Sequence, residues 1–599
     1  MSDEQQTPQS LTPSKEAIRR LLPLAKETFS YLPIAFVLLA CQSLVQVLLP
    51  QVMRLAIDGP LALNDELQKP QRWNELQSLG VLFLQLLTVA FVANYLSTWL
   101  LQKFGQTLVL NLRQEMFKKI HRLPISYFDK NAVGRTVTRV VNDSNSISEL
   151  FTSVLAAGIG DLLMLLGILA ILLYTDPVLS GILAAFCPLL IWLVVWFRSR
   201  SAPLYQIQRK LLARINAYFS EILEGLGTVK SFGGEDFQKK RFQELNSEAL
   251  DNELQLITLV ARFRPGFAVA RMAASALLLT VGGLSIIHGN STIGTLVSSL
   301  LYIRLLFSPL EQLAERYNIL IKATVASERV LAILDLEEEP QKGTPLGAEN
   351  LTIRFENVSY HYTADKPVLR DVSFSVEPGQ TVALVGATGS GKSTIVSLLL
   401  GFYQLQHSQG HQGSITVGGH PLNDTDLTAW RRKLAFVSQD LFLFKGTIAQ
   451  NVSLYEEQSK ERTELALNQA ACSDFVNQLP QKADTVVGEK GHALSTGQRQ
   501  LLSFARALAF DPELLLLDEA TANIDSETEA KIEKVLDVLL DGRQAIIVAH
   551  RLSTVRRANK ILVLAEGRIV EEGTHQELMQ NGGLYAAMVK KAEAKNPLD

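Results

Sequence analysis

Cysteine is almost missing from this chain: Cys41, Cys187 and Cys472 are the only three in 599 residues. They stand far apart and share no metal-site or disulfide spacing, which excludes a cysteine-built metal knuckle or a disulfide scaffold and suits a reducing interior. A surplus of either charge is missing too. The 57 basic residues face 60 acidic ones, a formal net charge of −3, so the global balance gives no argument for a nucleic-acid partner. Asp3 and Glu4 precede any apolar run, which is not the pattern of a cleavable secretory signal. What the chain has in plenty is apolar residues, 47% of the total, spread over a length too great for one core.

Nearly all of that excess lies before residue 325. The runs 31–53, 79–101, 154–174 and 178–197 each approach the roughly 20 residues that cross a bilayer, and two more follow at about 268–288 and 291–310. Six spans are expected. The stretches 102–149 and 198–255 are rich in Lys and Arg while the links 175–177 and 289–292 carry none, so the basic stretches and both termini belong in the cytoplasm. Helical periodicity continues through those basic stretches, and paired helices are expected to project from the membrane at about 1.5 Å per residue. Their tips fall near 127–143 and 213–232, as a plain stalk or as a docking surface. Two ionisable residues, Asp161 and Arg304, each count to roughly 20 Å below the outer surface, where such groups face a cavity or each other. The expected domains are a cytoplasmic segment 1–30, a six-helix transmembrane domain 31–335, a linker 336–350 and an α/β nucleotide-binding domain 351–599.

In that last part TVALVGATGSGKSTIVSLLLG (381–401) reads strand, glycine loop, helix. Gly386, Gly391, Lys392 and Ser393 satisfy G-x-x-x-x-G-K-[ST], and both flanks that the pattern requires are present. Glycines let the backbone N–H groups of the loop, Gly386 through Thr394 with Ala387, Thr388, Gly389 and Ser390 between, curl around phosphates. Lys392 reaches the outer phosphates and the Ser393 hydroxyl ligates Mg²⁺. PELLLLDEATANID (512–525) supplies a buried strand ending in Asp518, suited to the metal, and Glu519, suited to orienting or deprotonating the attacking water. Upstream, LSTGQ (494–498) leads into a helical pattern with apolar Leu501, Leu502, Phe504, Ala505 and Leu508. A helix start with a free Ser hydroxyl is a ready anion site. His407 and His411 stand in a polar loop without cysteine or acid nearby and are expected at the surface, with no structural metal.

Taken together, the apolar runs, P-loop, LSTGQ and Asp-Glu strand resemble a half-size ABC exporter of the multidrug-resistance-like type, from about residue 15 onward. The resemblance implies an all-α six-helix membrane domain of the type I exporter fold followed by an α/β P-loop domain, with ATP and Mg²⁺ as cofactors. It implies a dimer in which ATP on one P-loop is covered by the partner's signature, here LSTGQ with Ser495, Gly497 and Gln498. Tyr362 resembles the aromatic that stacks on adenine, with Tyr360 as its rival, and Gln439 the loop glutamine that senses Mg²⁺. His550 resembles the switch histidine, Asp525 the loop acid across the dimer, and Glu489 the contact to the cytoplasmic helix tips. The stretch 127–143 resembles the first of those tips, which favours the docking surface. The function implied is ATP-driven export of hydrophobic or amphipathic compounds across the inner (plasma) membrane by alternating access. The alternatives are a lipid flippase and a membrane-anchored regulatory or gating ATPase. Where the family usually has Gly, Thr496 stands, which points to a heterodimer with a second half-transporter ahead of a homodimer.

Overall fold

The computed structural model describes residues 19–62, 69–340, 343, 351–363, 366–406, 408, 410–439, 441–456, 459–488, 491, 494–518, 526–549 and 551–595. Two units fold apart because their sequences bury apolar surface in different ways. One comprises the chain up to His121 with Ala132–Leu336, and the other comprises Arg122–Asn131 with the chain from Glu337 onward.

The first unit is helical throughout. Helices α1 (Tyr31–Asp58) and α2 (Lys69–His121) carry the first two apolar runs. A short tip helix, α3 (Ile125–Lys130), follows within the other unit. Returning to the first unit, α4 (Ala156–Thr175) and α5 (Pro177–Glu224) carry the third and fourth runs. A second tip, α6 (Leu226–Ser231), separates α5 from α7 (Glu235–Ile287), and α8 (Ile293–Leu334) closes the set. Among the described residues, four helical stretches are long and apolar enough to cross a membrane, and a shorter apolar helix runs over Ile293–Pro309. With 53 residues each, α2 and α7 reach about 80 Å against about 30 Å of hydrocarbon, so the helices continue well past the bilayer. Large apolar side chains such as Val37, Phe91, Trp192 and Met272 point outward, as a lipid-facing surface requires.

The outer ends of these helices are stopped and tied by two carboxylates. Asp176 caps α5, accepting from the N–H groups of Val178 and Leu179 at 3.0 and 3.1 Å, and its other oxygen accepts from Ser291 Oγ at 3.0 Å. Asp58 accepts from Thr292 Oγ1 at 2.6 Å and from Gly294 N at 2.8 Å; a Cβ at Gly294 would lie 2.6 Å from that carboxylate, which is why glycine stands there.

Of the alternatives left open for Asp161 and Arg304, a cavity or each other, a direct pair does not form. Asp161, on α4, pairs with Arg316, and Arg304 is exposed on the same helix, α8, roughly three turns earlier. Equal depth along two helices means equal height only where they start level and run without tilt, and a long guanidinium side chain reaches across such an offset. Both partners keep limited exposure, 15% for Arg316 and 24% for Asp161, so the pair counts as largely buried. Asp161→Leu alone is expected to cost about 3 kcal/mol, near the low end for breaking a buried pair, whereas Asp161→Leu combined with Arg316→Leu recovers most of it. Thermal unfolding of the detergent-solubilised protein measures this; additive losses in the double variant would count against the pair.

In the second unit the chain switches to α/β. Its strands are β1 (Ile353–Thr363), β2 (Lys366–Val376), β3 (Thr381–Gly386), β4 (Gln412–Val417), β5 (His420–Pro421) and β6 (Leu434–Val437). These are followed by β7 (Gly446–Thr447), β8 (Val486–Val487), β9 (Leu514–Asp518), β10 (Gln544–Val548), β11 (Lys560–Ala565) and β12 (Arg568–Gly573). One sheet has the order β2-β1-β4-β5; a second, largely parallel, runs β12-β11-β3-β10-β9-β6. Both faces of the central part of this sheet are covered, so the inner strands β3, β10 and β9 read as nearly unbroken apolar runs, whereas the edge strand β12 (RIVEEG) alternates. The pleat divides each strand between two cores: Ala383, Leu515, Leu517, Ala545 and Ile547 enter one, and Val382, Leu384, Leu514, Leu516 and Ile546 enter the other.

Candidate functional site

The site forms where parallel strands end. Val548 at the end of β10 lies in register with Leu384 of β3 on one side and Asp518 of β9 on the other, so the glycine loop and the Asp518 carboxylate emerge one strand apart from a shared neighbour. The carboxyl ends of parallel strands are where α/β sheets bind ligands. From β3 the chain turns through Ala387, Thr388 and Gly389, all exposed, to Ser390 and Gly391, both buried, and then into α9 (Lys392–Leu399). Gly389 at φ +83° and Gly391 at φ +105° occupy backbone conformations that L side chains rarely adopt. A Cβ at Gly391 would also strike Leu369 at 2.6 Å, and one at Gly386 would strike the Leu564 carbonyl oxygen at 2.3 Å.

Within the loop, Lys392 is buried to 6% exposure and its ammonium donates to the carbonyls of Gly386 at 2.8 Å and Ala387 at 3.0 Å. Burial pushes its pKa down, and the Asp518 charge works in the opposite direction. Ser393 Oγ donates to Asp518 Oδ2 at 3.5 Å, bringing a hydroxyl and a carboxylate together from two separate elements. The buried Ser390 Oγ finds no hydrogen-bond partner among the described residues, an open polar position inside the loop. Thr394 Oγ1, one turn into α9, accepts from the Tyr362 hydroxyl at 3.2 Å.

Tyr362 is 44% exposed and ends β1, while Tyr360 is buried and turns an edge toward it at 5.1 Å. Of the two rings weighed from sequence, only Tyr362 keeps a face on solvent. Tyr403 meets Tyr362 edge-on at 4.9 Å, and its hydroxyl donates to Asp129 of α3. Desolvation pushes the Tyr362 and Tyr403 phenols up, and the Asp129 charge adds to both. The tip 122–131 is further held by the Arg122 carbonyl, which accepts from Glu339 N at 2.8 Å. Glu339 in turn binds Arg431 through two bonds of 2.7 Å. Gln439 and Asp518 line one small recess with Ser438, Gln500 and Phe504.

The LSTGQ helix, α10 (Thr496–Phe510), buries Leu501, Leu502, Phe504, Ala505 and Leu508 as its periodicity demands. The Ser495 oxygen caps this helix and keeps its hydroxyl proton for a further partner. It accepts from Gln498 N at 3.2 Å while Gln498 Oε1 accepts from Ser495 N at 2.9 Å, a reciprocal cap that satisfies two of the helix start's donors. The S-x-x-Q spacing carries that signal and was there to be read. Gly497 is buried, and the exposed Thr496 accepts from Arg499 Nη2 at 3.2 Å. His411 is likewise not a surface residue: it is buried against Tyr360, and its two ring nitrogens serve the Gln406 N–H at 3.0 Å and the His361 carbonyl at 3.1 Å. Glu489, Glu519, Asp525, His550 and His407 lie outside the described residues.

A glycine loop at a helix start, facing an acidic strand end and joined in one polypeptide to membrane-length helices, defines a nucleotide-driven membrane protein. Residues 32–310 match the family model for the ABC transporter transmembrane region and residues 369–522 the model for the ABC transporter domain. A Bacillus subtilis protein named "Probable multidrug resistance ABC transporter ATP-binding/permease protein YheH" is 36% identical over 84% of this chain and 75% of its own. An ATP-dependent lipid A-core flippase of Burkholderia orbicola is 35% identical over 83% of both chains. The solved structure of a bacterial Atm1-family ABC exporter with ATP bound superposes with a TM-score of 0.79 at 26% identity, covering 94% of this chain and 98% of that one. The chain belongs to the ABC transporter family, as an ATP hydrolase coupled to membrane transport with the exporter fold.

Proposed function

We propose that this protein exports hydrophobic or amphipathic compounds across the inner membrane by alternating access, its nucleotide-binding unit lying in the cytoplasm. The observation that carries the reading is the meeting of Ser393 and Asp518 at 3.5 Å beside the Lys392 loop, in a chain that also builds membrane-length helices. Loop N–H groups and Lys392 would hold the phosphates of ATP, and Tyr362 would stack on its base. The hard oxygen donors of Ser393 and Asp518, with Gln439 close by, suit Mg²⁺, which when bound neutralises charge between the outer phosphates. Glu519, next in the chain, would orient the attacking water, with His550 beside the γ-phosphate. Reconstituted in vesicles, the protein is expected to move a fluorescent amphiphile in one direction only with ATP. Flux of labelled lipid alone would make it a flippase, and ATP hydrolysis without any flux would overturn export.

We further infer that it works as a dimer with a second half-transporter. Ser495, Gly497 and Gln498 would cover the partner's ATP, and Asp525 would act across the junction. In LSTGQ the β-branched Thr496 fills space where backbone must approach phosphate, and Arg499 ties its hydroxyl back along the helix. The full hydrolytic site would then join this chain's P-loop to an unaltered signature on the other subunit. Purified alone, the chain is expected to show little ATPase activity, restored by a co-expressed second half-transporter. Robust hydrolysis by the pure chain, unchanged by Thr496→Gly, would favour a homodimer.

A further inference from the structure

The membrane unit holds a second polar feature besides the Asp161–Arg316 pair. Gln42 and Gln46 of α1, Asn94, Thr98 and Gln102 of α2, and Asp161 of α4 line one recess of about 260 Å³, just under the size range of drug-sized sites. By their places along the apolar runs, Asn94, Thr98 and Asp161 sit in the cytoplasmic half of the bilayer, Gln42 and Gln46 near its middle, and Gln102 at its cytoplasmic edge. Amide side chains at such depth are costly against lipid and gather where a cavity or a partner receives them. Four amides from two helices converge here with one carboxylate.

The Gln42 Oε1 atom is buried and has no hydrogen-bond partner among the described residues. Such an acceptor, held inside a membrane protein, is destabilising unless something donates to it. Charge narrows what that donor can be. Asp161 is already neutralised by Arg316, so an arriving cation must compete with a guanidinium and an arriving anion meets a carboxylate. A neutral group rich in O–H donors meets neither obstacle, and it finds amides able both to donate and to accept.

We propose that this recess binds the uncharged, hydroxyl-rich head group of an amphiphile, such as a glycosyl or polyol head, with its acyl or alkyl chain directed toward the bilayer. The proposal rests on the export reading and names the class of compound that the recess would select.

The test uses the full-length protein in phosphatidylcholine nanodiscs and three tritiated probes with the same twelve-carbon tail: dodecyl maltoside, dodecyltrimethylammonium and laurate. Dodecyl maltoside is expected to bind saturably and the charged probes only by partition. Gln42→Leu should weaken maltoside binding about tenfold, as loss of one well-made hydrogen bond in a dry site does. The same variant should raise the unfolding temperature without ligand, because it removes an unsatisfied buried acceptor, a gain that a merely structural glutamine would not give. Asn94→Leu is the second variant, should Gln42→Leu fold poorly. Preferential binding of the ammonium probe would overturn the proposal. So would unchanged maltoside affinity in both variants. So would a Thr98→Cys site closed to a water-soluble maleimide in the unliganded assembly, which would mean that a second copy of the chain fills the recess. Binding of a fluorescent ATP analogue measured in parallel separates the two readings: a protein that binds ATP but ignores dodecyl maltoside sinks this inference alone, and one that binds no ATP sinks the export reading.

Discussion

Glu519→Gln is expected to lower steady-state ATP hydrolysis by about 10²-fold or more, the contribution of a general base, while nucleotide still binds. The residue follows Asp518 directly, and Asp518 is the end of β9 that meets Ser393 Oγ at 3.5 Å beside the P-loop. Chemistry needs a water placed on the far side of the outermost phosphate from its leaving oxygen, and the first carboxylate after the metal-side acid is the group able to take its proton. Gln keeps the size and a hydrogen bond but not the basicity. ATP affinity should therefore survive, and inward-closed complexes should accumulate. Phosphate release measured over many turnovers checks the rate, and near-normal turnover in the variant would remove Glu519 from the role.

Lys392→Ala should fail one step earlier, at binding. The side chain is buried and its ammonium bonds two loop carbonyls, of Gly386 and Ala387, at 2.8 and 3.0 Å. Losing it removes the point charge that faces the outer phosphates and leaves both carbonyls without their donor, each charged hydrogen bond being worth about 1.5–3 kcal/mol. The expected result is at least a hundredfold weaker ATP binding, measured by titration with a fluorescent ATP analogue. Lys392→Arg should recover little, since a planar fork does not fill the place of a compact ammonium. Affinity close to wild type in Lys392→Ala would mean that the phosphates are held elsewhere.

What could be read from the chain, and what could not, divides by the range of the interaction concerned. The P-loop, the buried LLLLD strand and the apolar stripe of α10 are local patterns, each written within about twenty residues. They appear where the sequence puts them. The long helices were legible for the same reason, because period and length are properties of a segment. Asp161 was legible as an intramembrane charge but not as the partner of Arg316, since the offset between α4 and α8 depends on packing that no single helix encodes. His411 was misread because a polar loop usually means solvent, and only the fold reveals the two backbone groups that its ring serves. The tip 122–131 reads as part of the membrane helices by chain position, yet the bonds of Asp129 with Tyr403 and of Arg122 with Glu339 group it with the cassette. The Ser495 cap is a different kind of omission, since its S-x-x-Q spacing was in plain view; it engages the oxygen as an acceptor and leaves the hydroxyl proton to donate to an anion.

The run of contacts from Asp129 to Tyr403 to Tyr362 has a thermodynamic consequence. A base stacked on Tyr362 orders a ring that already leans on Tyr403, and Tyr403 is fixed by the tip carboxylate. If occupancy of that ring steadies the tip by some free energy, then the steadied tip must tighten the hold on the base by the same amount, because linkage between two equilibria is symmetric. Asp129→Asn would weaken the charge-assisted bond at the far end of the run. Its signature would be a change in nucleotide affinity caused by a residue that never touches nucleotide, and the size of that change would measure how much of the energy of base binding reaches the turn between the second and third membrane helices.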